Sequence, residues 1–368
     1  MTSRERLLNC FRRQPIDRVP LSTYELCGYD FDAWYQKDPS YHILMEQIRA
    51  KADCLLMADP VWRYPSQEML TEQTRRETAN EIHEDKIIHT PKGDLHAHYV
   101  QKKNVYTIWQ TEHPLKEIED IDLFLSQDFS DLEVESSRMF EKQKQLGENG
   151  LILVTLDDPI CAALDLFGMT NLLMYAMTER ERIQYFLDAL FEIILTRLRV
   201  FLKQDVRDIV FRICGPEVVT PPYLPFDFYP CFVTKYLKQL SREIKDAGGF
   251  VRLHSHGKVA SVLDEIASTD VDAIDPIEPP PDGDITLSEV KKRYGNRFIL
   301  FGNIELKELE NRDPARIDAL VRQAMEDAKE GGGFVLLPTA TPINTPLSKR
   351  TEENFIQYLN SGLKYGAY

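Results

Sequence analysis

The segment FVRLHSHG, residues 250–257, ends an apolar run with two histidines, His254 and His256, that are one residue apart. Residues two apart in a strand point to the same side, so both imidazoles are expected to face one space. Two imidazoles and a carboxylate make the ligand set of a catalytic zinc site, with a position open for water or substrate. Glu278, at the end of the next apolar run, supplies the carboxylate. The alternative is hydrogen bonding among ordinary polar groups at a strand end.

A second pair with the same spacing, His96 and His98, lies in the segment LHAH. The residues around it alternate between apolar and polar, which is typical of a strand with one face in water. Surface histidines usually have no function, so this pair is interpreted as part of an exposed strand face.

Eight short apolar runs predict the strands that position these side chains, and most runs end in a polar residue. The runs cover residues 19–25, 53–60, 151–159, 208–217, 250–257, 271–278, 297–305 and 334–340. Continuous apolar runs are typical of parallel strands that are buried on both faces. Amphipathic helical stretches lie between most of them. The alternation predicts an α/β fold in which residues 1–368 form one (β/α)8 TIM-barrel domain.

About ninety residues separate the second run from the third. Within them, apolar and polar residues alternate around the sequence PKGD, which is typical of strands joined by a tight turn. We therefore expect a β-hairpin or small meander, at about residues 65–115, inserted after strand two.

The ends of the predicted strands carry polar side chains, and in a barrel the C-terminal strand ends form the active site. Glu217 and Asp157 are predicted to be catalytic acids or bases. Substrate contacts are predicted for Tyr24, Glu25, Asp59, Asn303 and Thr339. Each position also has a plainer interpretation, because polar residues at strand ends often cap the next helix or form a turn.

Two further residues near this rim have open interpretations. Arg252 shares the face of His254, so it either meets an anionic substrate or pairs with a rim acid. Cys214 has no cysteine at a metal-ligand spacing, which favours a buried structural thiol.

The composition restricts the partners. The formal net charge is -15, which argues against nucleic acid or an anionic membrane as a partner and favours a small-molecule substrate. No run of about 18 apolar residues and no signal peptide are evident, so no membrane span is expected. None of the six cysteines forms a C-x-x-C pair, and a reducing cytoplasm is the expected location.

Several segments resemble the uroporphyrinogen decarboxylase-like superfamily. They are RERLLNCFRRQPIDRVPLSTYE near the start, HSHG at 254–257, VDAIDPIEPPPDGDITLSEVKKRYGNRFILFGNIE at 271–305 and GGGFVLLPTATPINTP at 331–346. The resemblance extends over nearly the whole chain and implies a single (β/α)8 barrel. It implies one of three activities: decarboxylation of uroporphyrinogen, methyl transfer between corrinoids and thiols, or cobalamin-independent methionine synthesis.

The decarboxylase branch of this superfamily has an arginine-rich motif near the first strand, which binds the carboxylates of the porphyrinogen. The corresponding segment of this chain, PLSTYELCGYD at residues 20–30, has no arginine. A tetrapyrrole with eight carboxylates needs cationic partners. We therefore expect that this chain does not decarboxylate uroporphyrinogen.

The methyltransferase branch has an H-x-C motif near strand five and a further cysteine after strand eight, and its zinc activates a thiol. In this chain His256 stands at the first cysteine position and Ala340 at the last. The resemblance thus implies His254, His256 and Glu278 as ligands of zinc or another divalent metal, without either thiolate. It also implies a corrinoid as methyl donor or acceptor and a corrinoid protein as partner. A homodimer is a separate expectation, which the resemblance does not supply.

The sequence thus favours a metal-dependent methyltransferase or demethylase. The alternatives are a decarboxylase that acts on a tetrapyrrole or a smaller acid, and a barrel that binds a small molecule without converting it.

Overall fold

The computed structural model describes all 368 residues. The strands, in chain order, are β1 (Cys54–Met57), β2 (Val61–Arg63), β3 (Thr71–Glu77), β4 (Glu81–Thr90), β5 (Gly93–Lys102), β6 (Ile108–Glu112), β7 (Glu133–Glu135), β8 (Gly150–Asp157), β9 (Val210–Cys214), β10 (Phe250–Ser255), β11 (Ala273–Pro276), β12 (Ile299–Ile304) and β13 (Phe334–Pro338). The α-helices are α1 (Ser3–Phe11), α2 (Trp34–Lys37), α3 (His42–Lys51), α4 (Pro65–Met69), α5 (Asp120–Phe124), α6 (Ser137–Leu146), α7 (Pro159–Thr178), α8 (Arg180–Phe201), α9 (Lys235–Asp246), α10 (Leu263–Ala267), α11 (Leu287–Tyr294), α12 (Leu306–Asn311), α13 (Pro314–Ala328) and α14 (Lys349–Gly366).

Seven strands form one curled parallel sheet in the order β1-β8-β9-β10-β11-β12-β13. The expected eighth strand, residues 19–25, is instead a short extended segment that bridges the two edges of this sheet. On one side Leu336 N donates to Pro20 O and Ser22 N donates to Leu336 O, each at 3.0 Å. On the other side Asp53 N donates to Leu21 O at 2.7 Å. The arrangement is compatible with a TIM-like barrel, but the segment is too short to count as a strand.

The long segment between β1 and β8 contains a separate sheet. Strands β3, β4, β5 and β6 pair antiparallel in chain order, so this region holds four strands. Pro91 and Lys92 form the tight turn between β4 and β5, next to the Thr90–Gly93 pair. The sheet follows the first strand of the parallel sheet rather than the second, because residues 19–25 are not a strand.

The first helix, α1, closes the N-terminal end of the curled sheet. Its residues Leu7, Leu8, Cys10 and Phe11 are buried in one apolar cluster with alternate residues of the sheet, such as Leu151 and Leu153 of β8. Because side chains alternate along a strand, these residues mark the inner face, and Ile152 and Val154 face the surrounding helices. Phe11 stacks on Phe250 with ring centroids 4.7 Å apart.

A buried ion pair holds α1 in this position, and a second arginine from the segment after the helix contacts the same acid. Arg6 Nη1 lies 2.5 Å from Asp53 Oδ1, and Arg18 Nη1 lies 2.7 Å from Asp53 Oδ2. Asp53 is fully buried and precedes β1 directly. The helix also begins with a capping box formed by Thr2 and Glu5. The inner space of the sheet is therefore blocked at the N-terminal end, and its opening lies at the C-terminal ends of the strands.

One helix, α7, has the length and apolarity that a membrane span requires. It is kinked at Gly168, where φ is 72°, and 39% of its most apolar window is buried inside the protein. A helix that packs in a protein core meets the same criteria, so this feature is weak support for a membrane span.

Candidate active site

The register of the parallel strands places two rows of polar side chains on the inner face. The lower row contains Thr155, Arg212 and Arg252, which are paired across β8, β9 and β10. The upper row lies one step nearer the C-terminal strand ends and contains Asp157, Cys214, His254 and Asp275. Most layers of a barrel interior are filled by branched apolar side chains, so two polar rows at this end mark a candidate active site.

His254 is the central member of a hydrogen-bonded relay. It is 7% exposed, and its Nδ1 lies 2.9 Å from Asp275 Oδ2, while its Nε2 lies 3.1 Å from Tyr24 Oη. Asp275 is ionised and can only accept, so the network assigns the imidazole proton to Nδ1. Nε2 then accepts from the Tyr24 hydroxyl. The order acid, imidazole and hydroxyl is the arrangement that activates a hydroxyl in many enzymes.

Tyr24 connects this relay to a buried cation. Its Oη accepts a hydrogen bond from Arg212 Nη1 at 3.1 Å while its proton is directed to His254. Burial raises the pKa of the Tyr24 phenol, and the Arg212 charge acts in the opposite direction. The backbone φ of Tyr24 is 58°, in the left-handed region that non-glycine residues rarely adopt. Such backbone strain occurs preferentially at functional sites.

Asp275 also balances the second buried arginine. Arg252 Nε lies 3.1 Å from Asp275 Oδ1, and the side chains are 2% and 0% exposed. Burial raises the pKa of Asp275, but Arg252 and His254 outweigh it, and the pKa falls to about 2. The carboxylate thus stays ionised at any physiological pH. The sequence left two roles open for Arg252, and in the structure it pairs with an acid.

His256 and Glu278 form a separate pair nearer the opening. His256 Nδ1 lies 2.9 Å from Glu278 Oε1, and Gly257 N donates to Glu278 Oε2 at 2.6 Å. Burial lowers the pKa of His256, but Glu278 outweighs it and the net shift is upward; the pKa of Glu278 is correspondingly lowered. The rings of His254 and His256 meet edge to face at 4.6 Å. The three predicted ligands are therefore neighbours.

Their arrangement does not fit a three-ligand metal site. No group of three or more histidine, cysteine or acidic side chains is placed to hold one ion. Both ring nitrogens of His254 are engaged, by Asp275 and Tyr24, and both oxygens of Glu278 are engaged, by His256 and Gly257. Ala340, at the position of the missing thiolate, offers no donor.

Two acids, Asp157 at the end of β8 and Asp59 just after β1, line the opening. Asp157 and Asp59 are reachable by solvent yet largely surrounded by protein, and this burial raises the pKa of both carboxyls. Asp59 Oδ1 accepts from Thr155 N at 2.6 Å, so this side chain ties β1 to β8. Asp157 contacts only the Cys161 thiol, at 3.8 Å. Of the two, Asp157 is the freer to meet a ligand.

Two carboxyls, the buried Asp158 and the half-buried Glu217, lie beside this opening without a cation. Asp158 is 1% exposed and caps α7, because its Oδ1 accepts from Cys161 N at 2.8 Å. Burial raises the pKa of Asp158 well above its ordinary value, and the charge of Glu217 adds to this. Asp158 Oδ2 and Glu217 Oε2 have no hydrogen-bond partner. Glu217 follows β9 in a 3-10 turn, Pro216–Val219.

The other predicted contact residues bond mainly to the backbone. Asn303 Nδ2 donates to Ile277 O at 3.2 Å, and Thr339 Oγ1 accepts from Leu306 N at 3.2 Å. Glu25 is half-exposed, and its Oε1 lies 3.7 Å from Arg212 Nη1. Cys214 faces the opening next to His254, and burial raises the pKa of its thiol to about 12. The substrate contacts expected of these residues stay predictions.

Two residues of the relay region, Asp275 and Arg212, were missed by the sequence reasoning. Both interrupt apolar runs, DIVFRIC and VDAIDP, which is the signal that could have indicated them. A charged residue inside a strand buried on both faces needs a partner across the sheet. The sequence reasoning instead chose Glu278, which lies two residues beyond the end of β11.

The other H-x-H pair lies on the antiparallel sheet. Leu95 and Ala97 of β5 are buried, so the alternate residues His96 and His98 face outward. His98 Nδ1 lies 2.7 Å from Asp85 Oδ1, and its Nε2 lies 3.3 Å from His83 Nδ1.

The fold and the site together define a class of α/β protein. Its parallel sheet is curled, and a cluster of ionisable side chains lies at the C-terminal opening. The family model described as uroporphyrinogen decarboxylase (URO-D) matches residues 110–350, which is more than half of the chain. The chain therefore belongs to the URO-D family.

Solved structures extend the comparison to the whole chain. A methyltransferase from Methanosarcina mazei is 15% identical and superposes with a TM-score of 0.64 over 99% of each chain. At this identity the likeness concerns the fold. A GH5 cellulase of a Bacteroidetes-affiliated source is 10% identical and covers 71% of this chain and 78% of its own, but its TM-score of 0.39 is too low to carry an argument. No curated protein matches.

Proposed function

We propose that this protein is a methyltransferase-type enzyme, in which the relay of Tyr24, His254 and Asp275 moves the proton that accompanies methyl transfer. The relay is the observation that carries this proposal, because it joins a hydroxyl to an imidazole that a buried carboxylate orients. Family membership and the likeness in fold to a methyltransferase support methyl transfer among the reactions that such a relay could serve.

The proposed step is a proton transfer coupled to a displacement. The acceptor loses its proton to Tyr24 Oη while its electron pair forms a bond to the methyl carbon. The bond from the methyl carbon to the donor breaks, and the donor keeps that electron pair. Tyr24 passes its original proton to His254 Nε2, and Asp275 stabilises the imidazolium. In the reverse direction, Tyr24 protonates the demethylated group.

Tyr24→Phe tests this role. The variant keeps the ring but removes the proton carrier, so we expect kcat of methyl transfer to fall by about 10²-fold or more. A matched control is Tyr29→Phe, which loses only a hydrogen bond to the backbone oxygen of Arg49 at 3.3 Å. The assay follows a methyl group, labelled with ¹³C, between methylated corrinoids or methyl ethers and small thiol or alcohol acceptors. Equal kcat values for Tyr24→Phe and the wild type would contradict the relay.

The proposal also includes a corrinoid as methyl donor or acceptor. It further includes a divalent metal, with zinc as the first candidate, and both need direct tests. Because the side chains do not fit a three-ligand site, no step above depends on a metal. Elemental analysis of protein purified without chelators measures the metal. A stoichiometric metal lost in both His254→Ala and His256→Ala would support the zinc site. Absence of metal in active protein would exclude it.

Decarboxylation of a small acid is a second candidate. The family model carries the name of a decarboxylase, and the same relay could protonate the carbanion that remains after loss of CO₂. Uroporphyrinogen itself is not expected to be the substrate, because segment 20–30 has no arginine to bind its carboxylates. Incubation with enzymatically generated uroporphyrinogen is expected to give no coproporphyrinogen, and efficient formation of that product would overturn this expectation.

A further inference from the structure

Arg212 is a buried cation with few partners. The residue is 8% exposed, and of its five N–H groups only one on Nη1 donates a hydrogen bond, to Tyr24 Oη at 3.1 Å. Nε is buried and has no partner. The nearest carboxylate is Glu25 at 3.7 Å, beyond hydrogen-bond distance, on a side chain that is 42% exposed.

The neighbouring Arg252 provides an internal comparison. The two arginines are paired in register across β9 and β10 and share the inner face. Arg252 Nε lies 3.1 Å from Oδ1 of a buried carboxylate, Asp275, an ion pair whose two atoms do not form a well-aligned hydrogen bond, and the other oxygen of that carboxylate accepts from His254. A buried charge without a close counter-ion destabilises a protein, because desolvation is not compensated. Two cations therefore face this space, and only one has a buried counter-ion.

We infer that Arg212, beside the Tyr24 hydroxyl, is the binding subsite for one carboxylate group of a small organic acid. The planar guanidinium can donate parallel hydrogen bonds to a carboxylate, and in this structure only its Nη1 makes a hydrogen bond. One free arginine suits a single acid group and not the many of a tetrapyrrole. This deepens the proposed function and rests on it for the role of Tyr24, since the carboxylate would be held beside the group that moves the proton.

Binding of simple acids and their neutral amides tests the subsite. The probes are acetate, butyrate and benzoate, each compared with the corresponding amide, and the readouts are the unfolding temperature and calorimetric Kd. We expect at least one carboxylate to raise the unfolding temperature of the wild type by about 2 °C or more, and its amide to have no effect. In Arg212→Met the Kd for that carboxylate should rise about tenfold or more.

Stability without ligand separates a binding role from a structural one. We expect Arg212→Met to unfold at the same or a higher temperature than the wild type, because it removes a buried charge whose nearest carboxylate, Glu25, is half-exposed and 3.7 Å away. Arg252→Met should unfold at a lower temperature, because it leaves Asp275 buried without its cation. If Arg212→Met does not fold, Arg212→Lys serves instead. It keeps the charge but loses the planar fork, so the carboxylate Kd should still rise.

Two outcomes would overturn the inference. One is a wild type that no carboxylate stabilises more than its amide. The other is an Arg212 variant that loses stability as Arg252→Met does while keeping its carboxylate Kd. Both readouts are binding and stability, so a failure to detect methyl transfer leaves the subsite standing. Methyl transfer without carboxylate preference would refute the subsite alone.

Discussion

The two H-x-H pairs of this chain have the same spacing and opposite surroundings. His254 is buried between Asp275 and Tyr24 inside the curled sheet, with His256 at its edge. His96 is exposed on the antiparallel sheet, and His98 is held by an exposed acid and another histidine. The spacing sets only which residues share a face. The burial and the partners decide whether the imidazole can be oriented and kept from water, which proton transfer requires.

The largest difference between the two histidine pairs is expected in the free energy of unfolding, when the acid next to each pair is neutralised. Asp275→Asn leaves Arg252 buried without its counter-ion, which should lower the free energy of unfolding by about 3–5 kcal/mol. The matched variant Asp85→Asn, which removes the partner of His98, should change it by less than about 0.5 kcal/mol. Urea unfolding curves of both variants measure this. Similar losses in the two would remove the contrast.

Replacing the imidazoles should separate the regions in activity. His254→Ala interrupts the relay, and kcat should fall by about 10²- to 10⁴-fold. His98→Ala should leave kcat unchanged, because its partners are not connected to the opening. Steady-state kinetics on the substrate found for the wild type gives both values. An active His254→Ala protein would mean that the inner pair is also only structural.

The pair formed by His256 and Glu278 should give a smaller, pH-dependent effect. The raised pKa of His256 contributes stability that is complete below its ordinary pKa of 6.5 and is lost as pH rises through the folded value. The lowered pKa of Glu278 contributes stability above its ordinary pKa of 4.5, which is lost as pH falls through the folded value. The pair should therefore stabilise most between about pH 4.5 and 6.5.

Glu278→Gln checks this assignment. The variant should lower the pKa of His256, since Glu278 is the group that outweighs the effect of burial. The pKa of His89, which its contacts with Asp94 and Glu72 on the antiparallel sheet raise, should not change. A titration of the imidazole protons by NMR distinguishes the residues, and an unshifted His256 would contradict the pair.

The smallest effect is expected for the double variant H96A/H98A. Both side chains lie on the outer face, so the free energy of unfolding should change by less than about 0.5 kcal/mol and kcat should not change. Thermal unfolding and the same kinetic assay suffice. A loss of activity here would give the antiparallel sheet a function that nothing in its contacts indicates.

The sequence was informative where local patterns sufficed. Seven of the eight apolar runs become strands of the parallel sheet, and the alternation around PKGD falls in a sheet of paired strands. The run at residues 19–25 failed, because only Pro20, Leu21 and Ser22 reach the sheet edges. A pattern of apolar residues cannot reveal how many of them form ladder hydrogen bonds.

The candidate site was predictable in position and not in its connections. Strand ends pointed to the opening and to Tyr24, His254 and His256. The partners of these side chains depend on the register between strands distant in sequence, which pairs His254 with Asp275. That register follows from the packing of the whole sheet and has no local signal. For the same reason, the buried counter-ion of Arg252 and the lack of a buried one for Arg212 became evident only in three dimensions.

The closure of one end of the sheet by α1 has a consequence for the order in which two substrates can bind. Because α1 fills the N-terminal end of the curled sheet, the interior is open only at the C-terminal strand ends. A methyl donor and a methyl acceptor that both react at Tyr24 must therefore either bind in this opening at the same time or bind there one after the other. Initial rates measured at varied concentrations of both reactants distinguish the two cases. Double-reciprocal plots give intersecting lines when both reactants bind together and parallel lines for a double displacement. The position of α1 thereby limits the kinetic mechanism to these two binding orders.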